Sequence, residues 1–338
     1  MQQYPPNYQP PYYQAPYPSY YPPPRPQFDP NWVKQERRST RKTLTRIGLA
    51  LFLAMAVAQV TSLLLTLWLQ QAAPGAVENS WVLLALSTMP LYLLGIPLIL
   101  LVVWKMPSLP ATEETPLSAG QFIQLFIIAY AVLYISNLVS MAGIALLSVI
   151  KGSPVVNPSE ALMMDLSPLA SFIYVGLLAP IIEEWVFRGV LLRRLLPHGE
   201  KFAIVISALC FGLFHGNFFQ MLFAFALGLV LAYAALRTGT LIYSIFIHII
   251  VNTFNGVLLP AVMVYGGLGA TALFGFVILG VVIAGVVLAI VHRKKVFFTP
   301  VPPPLTEGQR IVQTFSSPGM ILYILLCLGL SVYMIAIY

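Results

Sequence analysis

Charge is what this sequence has least of. Aspartate, glutamate, lysine and arginine make up 9% of the 338 residues, against roughly 25% in a soluble globular domain. Hydrophobic residues make up 59%, and mean hydropathy is +0.84. A water-soluble globular fold is thereby excluded. The net charge of +7 reads as a membrane-topology signal and not as a nucleic-acid footprint, so no nucleic-acid partner is expected. Cysteine is nearly absent as well. Cys210 and Cys327 both lie in apolar runs without a CxxC neighbour, which argues against a disulfide framework or a thiolate metal site. No cleavable signal peptide is legible, because the first apolar run begins only after residue 43.

Leucine, isoleucine and valine are missing from residues 1–30, where proline and tyrosine dominate. Such a segment buries too little apolar surface to offset its ordering entropy. Disorder or local polyproline II is expected there, as a flexible cytoplasmic tether or a ligand for a partner of the Pro/Tyr tail.

Long apolar runs are abundant. They fall near 47–69, 81–104, 121–150, 167–192, 202–215, 217–236, 240–263, 270–291 and 319–337. Most are long enough to cross a bilayer; 202–215 is short and reads as a partial or tilted helix inside the bundle. The expected fold is all-α: a polytopic transmembrane helix bundle of about eight or nine membrane segments, with a disordered Pro/Tyr-rich N-terminal tail. The chain divides into the tail (1–32), a basic approach with three transmembrane helices (33–166), a helical core (167–260) and C-terminal transmembrane helices (261–338).

With the N-terminus in the cytoplasm and alternating spans, Lys34, Arg37, Arg38, Arg41, Lys42, Arg46, Lys105, Arg193, Arg194, Lys201, Arg237, Arg293, Lys294, Lys295 and Arg310 fall on the cytoplasmic side. Only Lys151 falls outside. That bias is what the positive-inside rule expects. It leads us to expect a multi-pass protein of the plasma membrane.

Ionisable residues at membrane depth cost about 2.5–3.5 kcal/mol each on insertion scales and are usually functional. Here they are few: Glu183, Glu184 and Arg188 in the fourth run, His215 at the end of the fifth, and His248 in the seventh, with Asn252 and Asn255 following. Glu184 and Arg188, four apart, share a helix face and can pair as a structural lock. Glu183 is rotated by about 100° and is left free for another task. His248 and Asn252 are also four apart. At about 1.5 Å per residue, Glu183 and His248 lie some 12–15 Å below the basic surface and His215 roughly 20 Å. The set reads as a hydrolytic site reachable from the cytoplasm, or as a proton or ion relay.

These stretches resemble the CAAX prenyl protease and bacteriocin-processing (CPBP, or ABI) family of intramembrane endopeptidases. Its EExxxR motif reads here as Glu183, Glu184 and Arg188; FxxxH as Phe211 and His215; HxxxN as His248 and Asn252. The resemblance covers about residues 167–260. It implies peptide-bond hydrolysis of a membrane-anchored peptide or protein substrate within the lipid bilayer, with CAAX-type C-terminal processing as the family's namesake. Glu183 is then the candidate base, His215 helps hold the water, His248 and Asn252 supply oxyanion donors, and Glu184 orients the site through Arg188. The same atoms suit a second mechanism, in which Glu183, His215 and His248 hold Zn²⁺ with a water in the fourth position. A non-proteolytic scaffold or bacteriocin-immunity protein on the same bundle is the alternative function. A transporter is disfavoured, because no inverted repeat is visible.

Overall fold

The computed structural model describes residues 28–157, 166–300 and 302–337. The tail as far as residue 27, and its expected disorder, lies outside the described residues. What is described is helical, with no strand. Among the described residues, eight helices are long and apolar enough to cross a membrane: α1 (Pro30–Ala72), α2 (Ser80–Val103), α3 (Ala119–Lys151), α4 (Pro168–His198), α6 (Phe218–Thr238), α7 (Ile242–Tyr265), α8 (Gly267–Lys295) and α10 (Pro318–Ile337). The protein is a multi-pass membrane protein. Among the described residues are also the shorter helices α5 (Glu200–Phe214) and α9 (Glu307–Ser316).

Local chemistry sets the ends. Asp29 caps α1 by accepting from the Asn31 amide, and Pro30 takes the first helical position, where its missing N–H costs nothing. α1 therefore runs unbroken from the basic approach into its apolar half. Ser118 and Gln121 form a capping box at the start of α3, and Asn217 caps α6 through the Gln220 amide. α3 and α6 stop at Gly152 and Gly239, both with positive φ, the conformation that glycine adopts without a Cβ penalty.

α4, α5, α6 and α7 form the centre. α1, α2 and α10 pack on one side, and α3 and α8 on the other. The main core runs through Leu44, Leu51, Ile99, Phe187, Leu191, Ile206, Phe211 and Tyr323. α5 is buried on most of its surface, as a short helix held inside the bundle must be. A Cβ at Gly48 or Gly319 would clash with the facing backbone, so the two glycines set the close crossing of α1 and α10. Cys210 and Cys327 are buried free thiols.

The basic residues gather at one end. Arg46 and Arg194 donate to the carbonyls of Val102 and Val103, Arg237 pairs with Glu200, and Arg310 pairs with Glu36. The Leu109 amide donates to the Arg193 carbonyl, and the Thr115 amide to that of Thr238. The opposite end carries Lys151, which donates to the Ile335 carbonyl.

Three of the long helices widen into π-helical turns: Leu91–Gly95 in α2, Phe172–Leu178 in α4 and Phe254–Leu258 in α7. Each lies just before a proline: Pro97, Pro180 and Pro260. Proline has no N–H for the carbonyl four residues back (Leu93, Gly176, Gly256) and its ring crowds that carbonyl, so the wide turn relieves the clash. α4 has a second π stretch, Trp185–Leu192, immediately after the paired glutamates.

Candidate active site

α4 and α7 cross where neither carries a side chain. A Cβ on Gly176 would lie 3.0 Å from Thr253 Oγ1, and one on Gly256 would lie 2.9 Å from Val175 Cγ1. The close approach lets Asn252 Nδ2 donate to the Val175 carbonyl at 3.0 Å. It also brings His248 against the two glutamates of α4.

Glu184 and Arg188 pair at 2.7 Å and are both fully buried. Arg188 also donates to the Gly228 carbonyl at 3.2 Å and stacks on the Phe211 ring, 4.4 Å from its centre. His248 lies between the carboxylates, with Nδ1 3.0 Å from Glu184 Oε1 and Nε2 3.7 Å from Glu183 Oε2. A carboxylate only accepts, so Nδ1 carries a proton and Nε2 is turned toward Glu183. The Glu183 side chain keeps 22% of its surface exposed, against none for Glu184. One glutamate is therefore locked into the protein, and its neighbour is open to a reactant.

His215 follows the last turn of α5. Its Nδ1 donates to the Phe211 carbonyl at 3.0 Å, which leaves Nε2 unengaged by that bond. The Phe211 ring contacts His215 and His248 edge-on, with centroids 5.1 and 5.7 Å away. The phenylalanine of the FxxxH pattern is thus the packing hub for Arg188 and both histidines.

Glu183, His215, His248 and Asn252 line one cavity of about 730 Å³. Tyr134 and Asn255 line it too, joined by a 2.7 Å hydrogen bond from the tyrosine hydroxyl to Asn255 Oδ1. Tyr134 was not legible as a site residue, because a tyrosine within an apolar run reads as packing. Asn255, three past Asn252, reads in sequence only as its neighbour.

Among the described residues, no group of three or more His, Cys, Asp or Glu side chains is close enough as it stands to hold a metal ion. His248 Nδ1 is bonded to Glu184 and His215 Nδ1 to Phe211, which leaves the Nε2 atom of each ring outside those bonds.

Residues 165–254 match the model of a family described as type II CAAX prenyl endopeptidase Rce1-like. That is a family of membrane proteases, and the matched segment contains Glu183, Glu184, Arg188, Phe211, His215, His248 and Asn252. Comparison with curated proteins and with solved structures gave no match.

Proposed function

We propose that the protein is an intramembrane endopeptidase that hydrolyses peptide bonds of membrane-associated polypeptides with water activated by Glu183. The observation that carries this reading is the sandwich of His248 between a buried, arginine-paired Glu184 and an accessible Glu183, on the wall of a cavity large enough for a peptide segment.

The chemistry follows from the placement. Glu183 takes a proton from water, and the oxygen bonds to the peptide carbonyl carbon. His215 Nε2 accepts the water's other hydrogen and holds it in position. The carbonyl oxygen becomes an oxyanion, met by the amide hydrogen of Asn252 not given to Val175, with the His248 ring beside it on the same cavity wall. The C–N bond then breaks, and Glu183 returns its proton to the leaving amine. Glu184 and Arg188 act as positioning residues that fix the His248 ring. The bilayer excludes bulk water, which strengthens these electrostatic contacts.

The basic end is assigned to the cytoplasm by the excess of lysine and arginine there. A CAAX-type C-terminal segment is the substrate that the family's name offers. The test is mass spectrometry of membrane-peptide cleavage by detergent-purified protein. Wild type should release products and Glu183→Gln should not; equal products from both would remove Glu183 from the chemistry. A scaffold function would survive that substitution.

A further inference from the structure

Asn252 and Asn255 stand three apart on α7, and both line the cavity of about 730 Å³. Asn252 donates across to the Val175 carbonyl on α4. Asn255 is held differently. Its Nδ2 donates to the Val251 carbonyl of its own helix at 2.8 Å, and its Oδ1 accepts from the Tyr134 hydroxyl of α3 at 2.7 Å. The first bond decides which end of the amide is nitrogen, since a carbonyl needs a donor. The second bond then requires the tyrosine to give its hydrogen to Asn255.

What the pair has left follows by counting. A primary amide carries two N–H hydrogens, and Asn255 spends one on Val251. A phenol oxygen carries one hydrogen and two lone pairs, and Tyr134 spends the hydrogen on Asn255. Tyr130 lies one turn earlier on α3, with its ring centre 4.9 Å from that of Tyr134, and its hydroxyl can occupy only one of those lone pairs. The pair therefore offers the cavity one N–H donor and one oxygen acceptor, side by side. Leu133 and Val251, on the same wall, offer hydrocarbon.

An extended polypeptide carries the complement. The N–H and C=O of one residue in a strand point to the same side, as they do when two strands exchange a pair of hydrogen bonds. The position fits the chemistry as well. Asn255 stands one turn of α7 beyond Asn252, a rise of about 4–5 Å, and an extended chain advances about 3.3–3.6 Å per residue. With the carbonyl under attack held at Asn252, the pair meets the residue beside the cut.

We propose that Tyr134 and Asn255 form a subsite for the substrate main chain, in which Tyr134 Oη accepts the N–H and Asn255 Nδ2 donates to the C=O of a residue beside the scissile bond. The substrate class is then a polypeptide in extended form with a free backbone N–H at that position, and proline or an N-alkylated residue there is rejected. The proposal rests on the protease reading and adds α3 to the helices that contact substrate. A tie between α3 and α7 that served stability alone would not distinguish N–H from N–CH₃.

The test takes the peptide that wild type cuts best from a mixed set of apolar membrane peptides. Copies of it carry one N-methylated residue each, at successive positions on both sides of the cut. Cleavage by the full chain in detergent is read as kcat/KM. Wild type should lose about 10–100-fold at one position beside the cut, where a covered acceptor is left without its donor. Tyr134→Phe should cut the parent peptide about 10-fold more slowly and lose the penalty at that position while keeping the penalties elsewhere. Asn255→Ala, which removes the other half of the pair, should do the same, so loss of one variant to misfolding leaves the other. A purely structural tie would slow the parent and N-methylated peptides alike. An unchanged pattern of penalties in both variants, or no position at which wild type discriminates, overturns the proposal and leaves the protease reading standing. No cleavage of any peptide by wild type overturns the protease reading, and the proposal with it.

Discussion

The two ends of the bundle are built differently. At the basic end, arginines tie one helix to the next: Arg46 and Arg194 to α2, Arg237 to Glu200 and to the Phe297 carbonyl, Arg310 to Glu36 and to the Pro302 carbonyl. At the other end, α2 meets α4 through an edge-on contact of Trp81 with Tyr174 and a small cluster around Leu84, Leu166 and Ala170. The difference lies in the kind of tie: side chain to carboxylate and carbonyl bonds fix the helix ends on the basic side, whereas ring and aliphatic contacts join α2 to α4 at the other. Rigid support of the reacting groups matters because small displacements of a catalytic group are costly in rate.

Substitutions among the paired site residues should have the largest effects. Glu183→Gln keeps the shape and removes the base, so turnover should fall by about 10²–10⁴-fold with thermal stability nearly unchanged. Arg188→Met strands the buried Glu184 carboxylate. It should lower stability by about 3–5 kcal/mol as well as activity, read by thermal unfolding in detergent. Arg188→Lys should rescue little, because one ammonium cannot reproduce the guanidinium's bonds to Glu184 and Gly228 together with its stacking on Phe211.

A change at the crossing should do less. Gly256→Ala places a methyl group 2.9 Å from Val175 Cγ1 and pushes α7 from α4. A loss of about 1–3 kcal/mol is expected, with a drop in kcat and little change in KM, because the Asn252 and His248 contacts shift while the cavity remains. Equal activity would show that the crossing does not set the site.

The smallest effect belongs to the basic end. Partial burial would raise the Glu200 carboxyl, but hydrogen bonds from Thr299 and Arg237 outweigh it and hold Glu200 below the ordinary glutamate range. A carboxyl lowered on folding contributes stability above its unfolded pKa and loses it as pH falls through its folded pKa. Wild type should therefore melt slightly above Glu200→Gln at neutral pH, and the gap should close on acidification. A gap that widens on acidification would contradict the assignment.

Much of this architecture was legible in the chain. The run at 81–104 became Ser80–Val103, 319–337 became Pro318–Ile337, and the short run at 202–215 became the enclosed helix Glu200–Phe214. Hydrocarbon length decides such segments, and length is written in sequence. The helix Glu307–Ser316 was not seen, because it is short, amphipathic and follows a proline-rich stretch. The π turns were missed although Pro97, Pro180 and Pro260 marked them.

At the site, spacing gave the Glu184–Arg188 pair, since residues four apart on one helix must meet. It did not give the second partner of Glu184. That contact comes from His248, 64 residues away, and depends on a crossing set by two glycines.

The central claim, hydrolysis by water that Glu183 activates, is tested most directly by cleavage of a membrane peptide in ¹⁸O-labelled water, with wild type and Glu183→Gln side by side and a chelator arm for each. The expected result is ¹⁸O in the new carboxyl terminus from wild type, unchanged by chelator and lost in the variant. Equal ¹⁸O incorporation by Glu183→Gln, or wild-type cleavage abolished by chelator and restored by Zn²⁺, would contradict it.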